Sequence, residues 1–280
     1  MSTSPIIVTK ASGDKVPFVE EKLKRSLRNA GASNTAIRMI VEEVYKILVP
    51  GISTKKIYQK AFQLLKKRHK PCAARYKLKQ ALMELGPSGY PFEAFIGAVM
   101  KARGFEAQVG VTLNGKCITH EVDVLAENYD SRIAMECKYG NSKSKTIPST
   151  TSMYVHSRVR DLWAQWKTDP AYEDKRFRGF IVTNVRFTSE AIRYAECSGE
   201  LELMGWNYPE RENLRTLLDK HRLLPIKVLK YISEAQKRSL LDDGIVLCRD
   251  LFNDMDKLDK LKITGKRAKD ARNEIEGLCG

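Results

Sequence analysis

The stretch ITHEVDVLAENYDSRIAMECK, residues 118–138, decides how this chain reads. Two alternating runs flank the turn-forming cluster Asn128-Tyr129-Asp130-Ser131. Successive side chains of a strand point to opposite faces. Ile118, His120, Val122 and Val124 are therefore expected on one face of the first run, with Thr119, Glu121 and Asp123 on the other. In the second run Ile133, Met135 and Cys137 take the apolar side, and Ala134, Glu136 and Lys138 the opposite one. Pairing through the turn would set Asp123, Glu136 and Lys138 on a common face.

Two carboxylates at close quarters repel each other unless a cation sits between them. Mg²⁺ (or Mn²⁺) suits oxygen ligands and keeps several waters, so it would bridge such a pair to a phosphate oxygen. There it acts as a Lewis acid and lowers the pKa of a bound water. Lys138 would position or deprotonate that water and offset charge developing on the phosphorane. Glu93, on an amphipathic helix upstream, is a further candidate ligand, and Glu121 a weaker one. His120 is assigned a structural, hydrogen-bonded place on the apolar side. An E-x-K triplet is common, and the same side chains would also suit the solvated face of an edge strand. The order of the surrounding elements favours the chemical reading.

Upstream of the decisive stretch the sequence predicts a helix over PFEAFIGAVMKARG and a strand over EAQVGVTL. Downstream it predicts a helix over YVHSRVRDLWAQW, a strand over FRGFIVTN, a helix over TSEAIRYAECSG and a strand over ELELMGW. This is an α/β order with a meander in front and a crossover behind. GPSGYP (86–91) and NYPERENL (207–214) punctuate the chain. They divide it into 1–89, mostly helical with a small β-hairpin, a central α/β core over 90–215, and a small helical domain over 216–280.

Residues from about Tyr90 to Trp206 resemble the Mrr-like branch of the PD-(D/E)xK restriction endonucleases. FEAFIGAVMKARGFEAQ, HEVDVLA, the triplet Glu136-Cys137-Lys138 and FIVTNVRFTSEAIRYAE carry the likeness, in order. It implies Asp123 and Glu136 as metal ligands, Lys138 as the catalytic lysine and Glu93 as the helix-borne carboxylate.

The first segment, VTKASGDKVPFVEEKLKRSL through AARYKLKQAL, is similar to the ATP-cone domain at Val8, Lys10, Gly13, Pro17, Phe18, Lys22 and Leu23. GIST, ending in Thr54, fits the family's third helix. The likeness implies an adenine-nucleotide site involving Val8, Lys10, Lys22 and Thr54, with ATP, dATP or ADP as effector. Ala11 stands where that family usually has arginine, which removes a bidentate phosphate contact. No G-x-x-x-x-G-K-[ST] loop is present, so nucleotide would act as an effector rather than fuel. A basic helical DNA-binding bundle is the other reading, since residues 1–89 hold 18 Lys or Arg against 6 Asp or Glu. The last segment looks like a helix-hairpin-helix relative, with turns at Gly244-Ile245 and at Ile263-Thr264-Gly265-Lys266. Lys266 and Arg267 would meet DNA phosphates there. A protein-interaction or dimerisation module fits equally well.

Composition agrees with a folded protein facing a polyanion. Lys and Arg number 49 against 34 Asp and Glu, a net +15 over 280 residues. The six cysteines are scattered without a C-x-x-C pair, which argues against a zinc site and a secreted disulfide framework. No membrane span or signal peptide is expected, and a cytoplasmic location is. The expectation is thus a Mg²⁺-dependent DNA endonuclease acting on double-stranded DNA, regulated by nucleotide and assembled as a homo-oligomer, a dimer or larger. A non-enzymatic, nucleotide-sensing DNA-binding regulator is the alternative, and RNA as substrate is not excluded by the residues.

Overall fold

The computed structural model describes every residue except 1–4, 11, 12, 69, 87, 143 and 280. The position of Ala11 lies outside the described residues, as does Pro87 in the first punctuation point.

The chain opens with a hairpin of β1 (Ile7–Thr9) and β2 (Lys15–Pro17), paired antiparallel with Val8 opposite Val16. Gly13 turns between them at φ +88°. Four helices follow: α1 (Glu20–Asn29), α2 (Asn34–Tyr45), α3 (Thr54–Arg68) and α4 (Lys70–Tyr76). Ser33 starts α2 by accepting the Ala36 amide at 3.2 Å, and Ser53 accepts the Lys56 amide at the head of α3. Leu23, Leu27, Ile37, Ile40, Val41, Val44, Ile57 and Leu65 recur at helical spacing and close a core of their own with Val8.

The stretch AARYKLKQALMEL, built of helix-favouring residues throughout, is divided between two helices, α4 and α5 (Leu78–Met83), parted at Lys77. Two cores pull on this stretch from different sides. Ala73 packs with the N-terminal helices, whereas Leu78, Ala81, Leu82 and Leu85 pack with the sheet domain.

The central sheet has the order β3-β4-β5-β7-β9. Its strands are β3 (Glu106–Asn114), β4 (Thr119–Glu127), β5 (Ser131–Lys138), β7 (Arg176–Thr183) and β9 (Leu201–Met204). The first three form an antiparallel meander, and β5, β7 and β9 run parallel. A short parallel pair, β6 (Thr146–Ile147) with β8 (Arg186–Phe187), lies beside it. The helix α6 (Tyr90–Ala102) covers one face, and α7 (Ser149–Trp166) with α8 (Ser189–Ser198) covers the other. β5 is buried on both sides along almost its whole length, as its unbroken IAMEC run requires. Gly179 on β7 lets α7 approach closely, for a Cβ there would lie 2.6 Å from a methyl of Val159.

The chain ends in α9 (Leu214–Lys220), α10 (Glu234–Asp242), α11 (Cys248–Asn253), α12 (Asp256–Asp259) and α13 (Gly265–Cys279). Ser233 and Gln236 make a reciprocal capping box at α10. Leu214, Leu240, Leu251, Ile275 and Leu278 enter the same apolar interior as Phe92, Met135 and Val182. All six cysteines are unpaired. Among the described residues no helix is long and apolar enough to cross a membrane.

Candidate active site

The site forms where the meander stops being regular. In the β3–β4 register Gly110 stands opposite Asp123, and Gly110 adopts φ +64°. On β3, Val109 packs toward α6 while Val111 packs toward α7. The same reversal occurs on β4, where Val124 joins the α6 side and Val122 the α7 side. Strict alternation had put Val122 and Val124 on one face. The kink at Gly110 breaks that period, so the expectation holds for His120 with Val122 and fails for Val124.

Asp123 sits at the reversal, just where β4 parts from β5. The last paired residues of those strands are Val124 and Met135. Beyond them the Asp123 carboxylate takes the place of a ladder carbonyl and accepts the Cys137 amide through Oδ2 at 2.6 Å. Glu136, only 8% exposed, and Lys138 emerge from β5 on the α7 side and form an ion pair between Oε1 and Nζ. Arg158, from α7, donates from Nη1 to the other oxygen of Glu136 at 2.6 Å. The end of β5 is pinned from β7. Thr183 Oγ1 donates to the Lys138 carbonyl at 2.6 Å, and the buried Asn184 side chain exchanges two hydrogen bonds with the main chain of Gly140.

Glu93, near the start of α6, faces the same cluster. Burial pushes its carboxyl up to about 7, helped by the negative charges of Asp123, Glu121 and Glu136 and opposed by Lys138. Asp123 is raised as well, first by burial and then by Glu136, against the Cys137 amide, Lys138 and Arg158. The unfolded Glu93 carboxyl titrates near 4.5, so the folded state holds this proton more tightly. DNA-free, metal-free protein therefore loses stability as pH rises from about 4.5 through 7. Glu93→Gln is expected to remove that loss, exceeding wild type at about pH 8 by about 1–2 kcal/mol, since solvent screens part of the repulsion. Thermal melts of both proteins across this range check it, and parallel curves would contradict it.

Asp123, Glu136, Lys138 and Glu93 thus come together, with the Glu121 main chain held by Arg158 at their edge. His120 is buried and bonds through Nε2 to Asp161 on α7 at 2.8 Å, the structural place expected of it. Asp161 also accepts the amides of Cys117 and Ile118, and these hydrogen bonds, led by that from His120, hold its carboxyl down at about 2.

The other candidate residues lie apart from this cluster. Val8 is 2% exposed inside the N-terminal core. Lys10 follows β1 and pairs with Asp14 at 3.8 Å. The end of β1 runs beside the head of α3, with the Thr9 amide on the Ile52 carbonyl at 3.0 Å, so Lys10 adjoins the turn that carries Thr54. Lys22 stands exposed on the first turn of α1. Lys266 and Arg267 are exposed at the start of α13, where Arg267 Nε also donates to the Tyr231 carbonyl at 2.7 Å.

Sequence reading missed Arg158, Thr183 and Asn184. The last two left a signal, since a polar pair directly after the apolar run FIV marks a strand end turned toward a site. Arg158 left none, because nothing in a helical repeat says which cation faces a strand.

The chain is similar to known proteins. Residues 86–207 match the Mrr-type catalytic family described as "Restriction endonuclease", and residues 224–279 match the family "AF1548-like, C-terminal". An uncharacterized protein of Archaeoglobus fulgidus is 33% identical over 187 residues, spanning 65% of this chain and 98% of that protein. The crystal structure of AF1548, a protein of unknown function, superposes with a TM-score of 0.54 at 29% identity, covering 68% of this chain and 97% of the other. The MspJI restriction endonuclease in complex with a 27-mer oligonucleotide gives a TM-score of 0.38 at 13% identity, over 62% of this chain and 36% of that one. The chain therefore belongs to the family of the Archaeoglobus protein, and it joins a restriction-endonuclease domain of Mrr type to an AF1548-like C-terminal domain.

Proposed function

We propose that this protein is a divalent-metal-dependent DNA endonuclease of restriction or defence type, with adenine nucleotide bound at residues 1–89 as its regulator. The convergence of Asp123, Glu136 and Glu93 beside Lys138 carries the reading, because their mutual repulsion is the charge that a cation would neutralise. An all-oxygen donor set suits a hard ion such as Mg²⁺ or Mn²⁺. Among the described residues no three such side chains already stand at ligating distance, since Glu136 is turned toward Lys138 and Arg158. Asp123, Glu136 and Glu93 would hold the ion, and the ion would supply Lewis-acid polarisation of the scissile phosphate. The chain's own part is separate. Lys138 brings a point charge to the place where the phosphorane gains charge. Glu93, whose proton is held by burial and by its neighbours' charges while no cation is present, would give that proton up on meeting the ion.

The nucleotide arm of the proposal is supported by the hairpin and helices around Lys10, Lys22 and Thr54, on the most basic part of the chain. The head of a 15-residue helix at Thr54 would offer a phosphate the first-turn amides that Ser53 does not already cap. Lys266 and Arg267 are proposed to grip the DNA backbone. Breaking both strands in one event needs two such sites, which favours a homo-oligomer.

Supercoiled plasmid should be nicked or linearised with Mg²⁺ and left intact with EDTA, and ATP, ADP or dATP should change the rate and the molecular mass in the same samples. Protein that binds duplex DNA yet never cuts it, with any metal or nucleotide, would be a DNA-binding regulator instead. A rate and mass indifferent to nucleotide would remove the regulatory part alone.

A further inference from the structure

Glu136 is the most enclosed carboxylate of the cluster, and cations already occupy both of its oxygens. Lys138 holds Oε1, and Arg158 holds Oε2 at 2.6 Å. The other arm of the Arg158 guanidinium, Nη2, donates to the main-chain carbonyl of Glu121. One planar fork therefore ties β4 to β5 beyond Val124 and Met135, where their own ladder has ended. The guanidinium carbon lies 5.4 Å from the ring centre of Tyr154, one turn earlier on α7 and largely exposed.

This contact stands in the way of the metal. A divalent ion and a guanidinium on the same carboxylate repel each other, so metal loading and the Arg158–Glu136 contact compete. Lysine could settle such a conflict by giving up its proton, but arginine keeps its charge under all ordinary conditions. Arg158 must instead move to another anion. The tyrosine beside it leads toward solvent, and an arginine fork matches the two free oxygens of a phosphodiester. Duplex DNA laid over the site brings such oxygens.

We propose that Arg158 is a positioning residue that couples metal loading to DNA binding. Without DNA it closes the cation site by holding Glu136. A backbone phosphate of bound DNA then takes the guanidinium and frees that carboxylate. The inference rests on the metal-dependent nuclease reading above. Coupling of this kind is reciprocal, so divalent cation and DNA each tighten binding of the other.

Titration of the intact, DNA-free protein with Mn²⁺, followed by calorimetry or by the spin resonance of free Mn²⁺, tests this without any turnover. Arg158→Met is expected to bind Mn²⁺ about tenfold more tightly than wild type, and a non-cleavable duplex should shrink that gap. A merely structural role predicts the opposite, because a loosened site binds more weakly. Arg158→Lys keeps the charge without the fork and should fall between the two. It carries the test if the Met variant does not fold. Folded variants with Mn²⁺ affinity equal to or below wild type, while Glu136→Gln still abolishes binding, overturn the role of Arg158 and leave the metal site standing. Mn²⁺ binding that survives Glu136→Gln overturns the metal-site reading itself, and this inference with it.

Discussion

Lys138→Ala should slow DNA cleavage by about 10²–10³ while leaving duplex binding and folding nearly unchanged. The residue ends a strand whose position does not depend on its side chain. Its carbonyl is held by Thr183 Oγ1 at 2.6 Å, and the next turn is clamped by Asn184. Removing the ammonium takes a charge from the reacting phosphate and from Glu136, its ion-pair partner. Arg158 remains on Glu136, so the buried carboxylate keeps one counter-ion and the fold is spared. Single-turnover cleavage beside duplex binding in Ca²⁺ separates the two effects. A variant that cuts as fast as wild type would remove Lys138 from the chemistry. One that neither cuts nor binds would make its role general electrostatics.

Phe95→Ala should destabilise the protein by about 3–5 kcal/mol, a large part of the roughly 5–15 kcal/mol that holds a folded chain. Phe95 is fully buried in the apolar interior that α6 shares with the sheet and the last helices, in one cluster with Phe92, Ile96 and Met100. Truncation leaves a hole that neither helix nor sheet can close, because α6 is also fixed at Gly97, where a Cβ would stand 2.7 Å from Val109. Phe95→Leu, nearer in volume, should cost less. Urea unfolding of the three proteins measures this. An Ala variant as stable as wild type would mean that Phe95 is not packed in that interior.

The difference between these residues shows what the sequence disclosed. The helix and strand succession from Tyr90 to Trp206 was legible because apolar period decides it, and so was the meeting of Asp123, Glu136 and Lys138 around one turn. The faces of Val122 and Val124 were misread because a glycine in the neighbouring strand changes the period, and no pattern within β4 records that. The break at Lys77 escaped because both halves are good helix and no residue of AARYKLKQALMEL marks a stop. Arg158 escaped for a related reason. Its partner lies 22 residues away on another element, and such pairings are set by how α7 lies across the sheet.

The interior that the last helices share with the sheet has a mechanical consequence. Leu217, Leu240, Ile275 and Leu278 are packed into the same apolar mass as Met135 and Cys137, so the C-terminal end is no pendant swinging on a tether. If Lys266 and Arg267 grip a DNA strand as proposed, that strand would be held at a set distance and bearing from Glu136, as a workpiece is held by a fixed jaw. The spacing between grip and cut would then be a dimension of the fold.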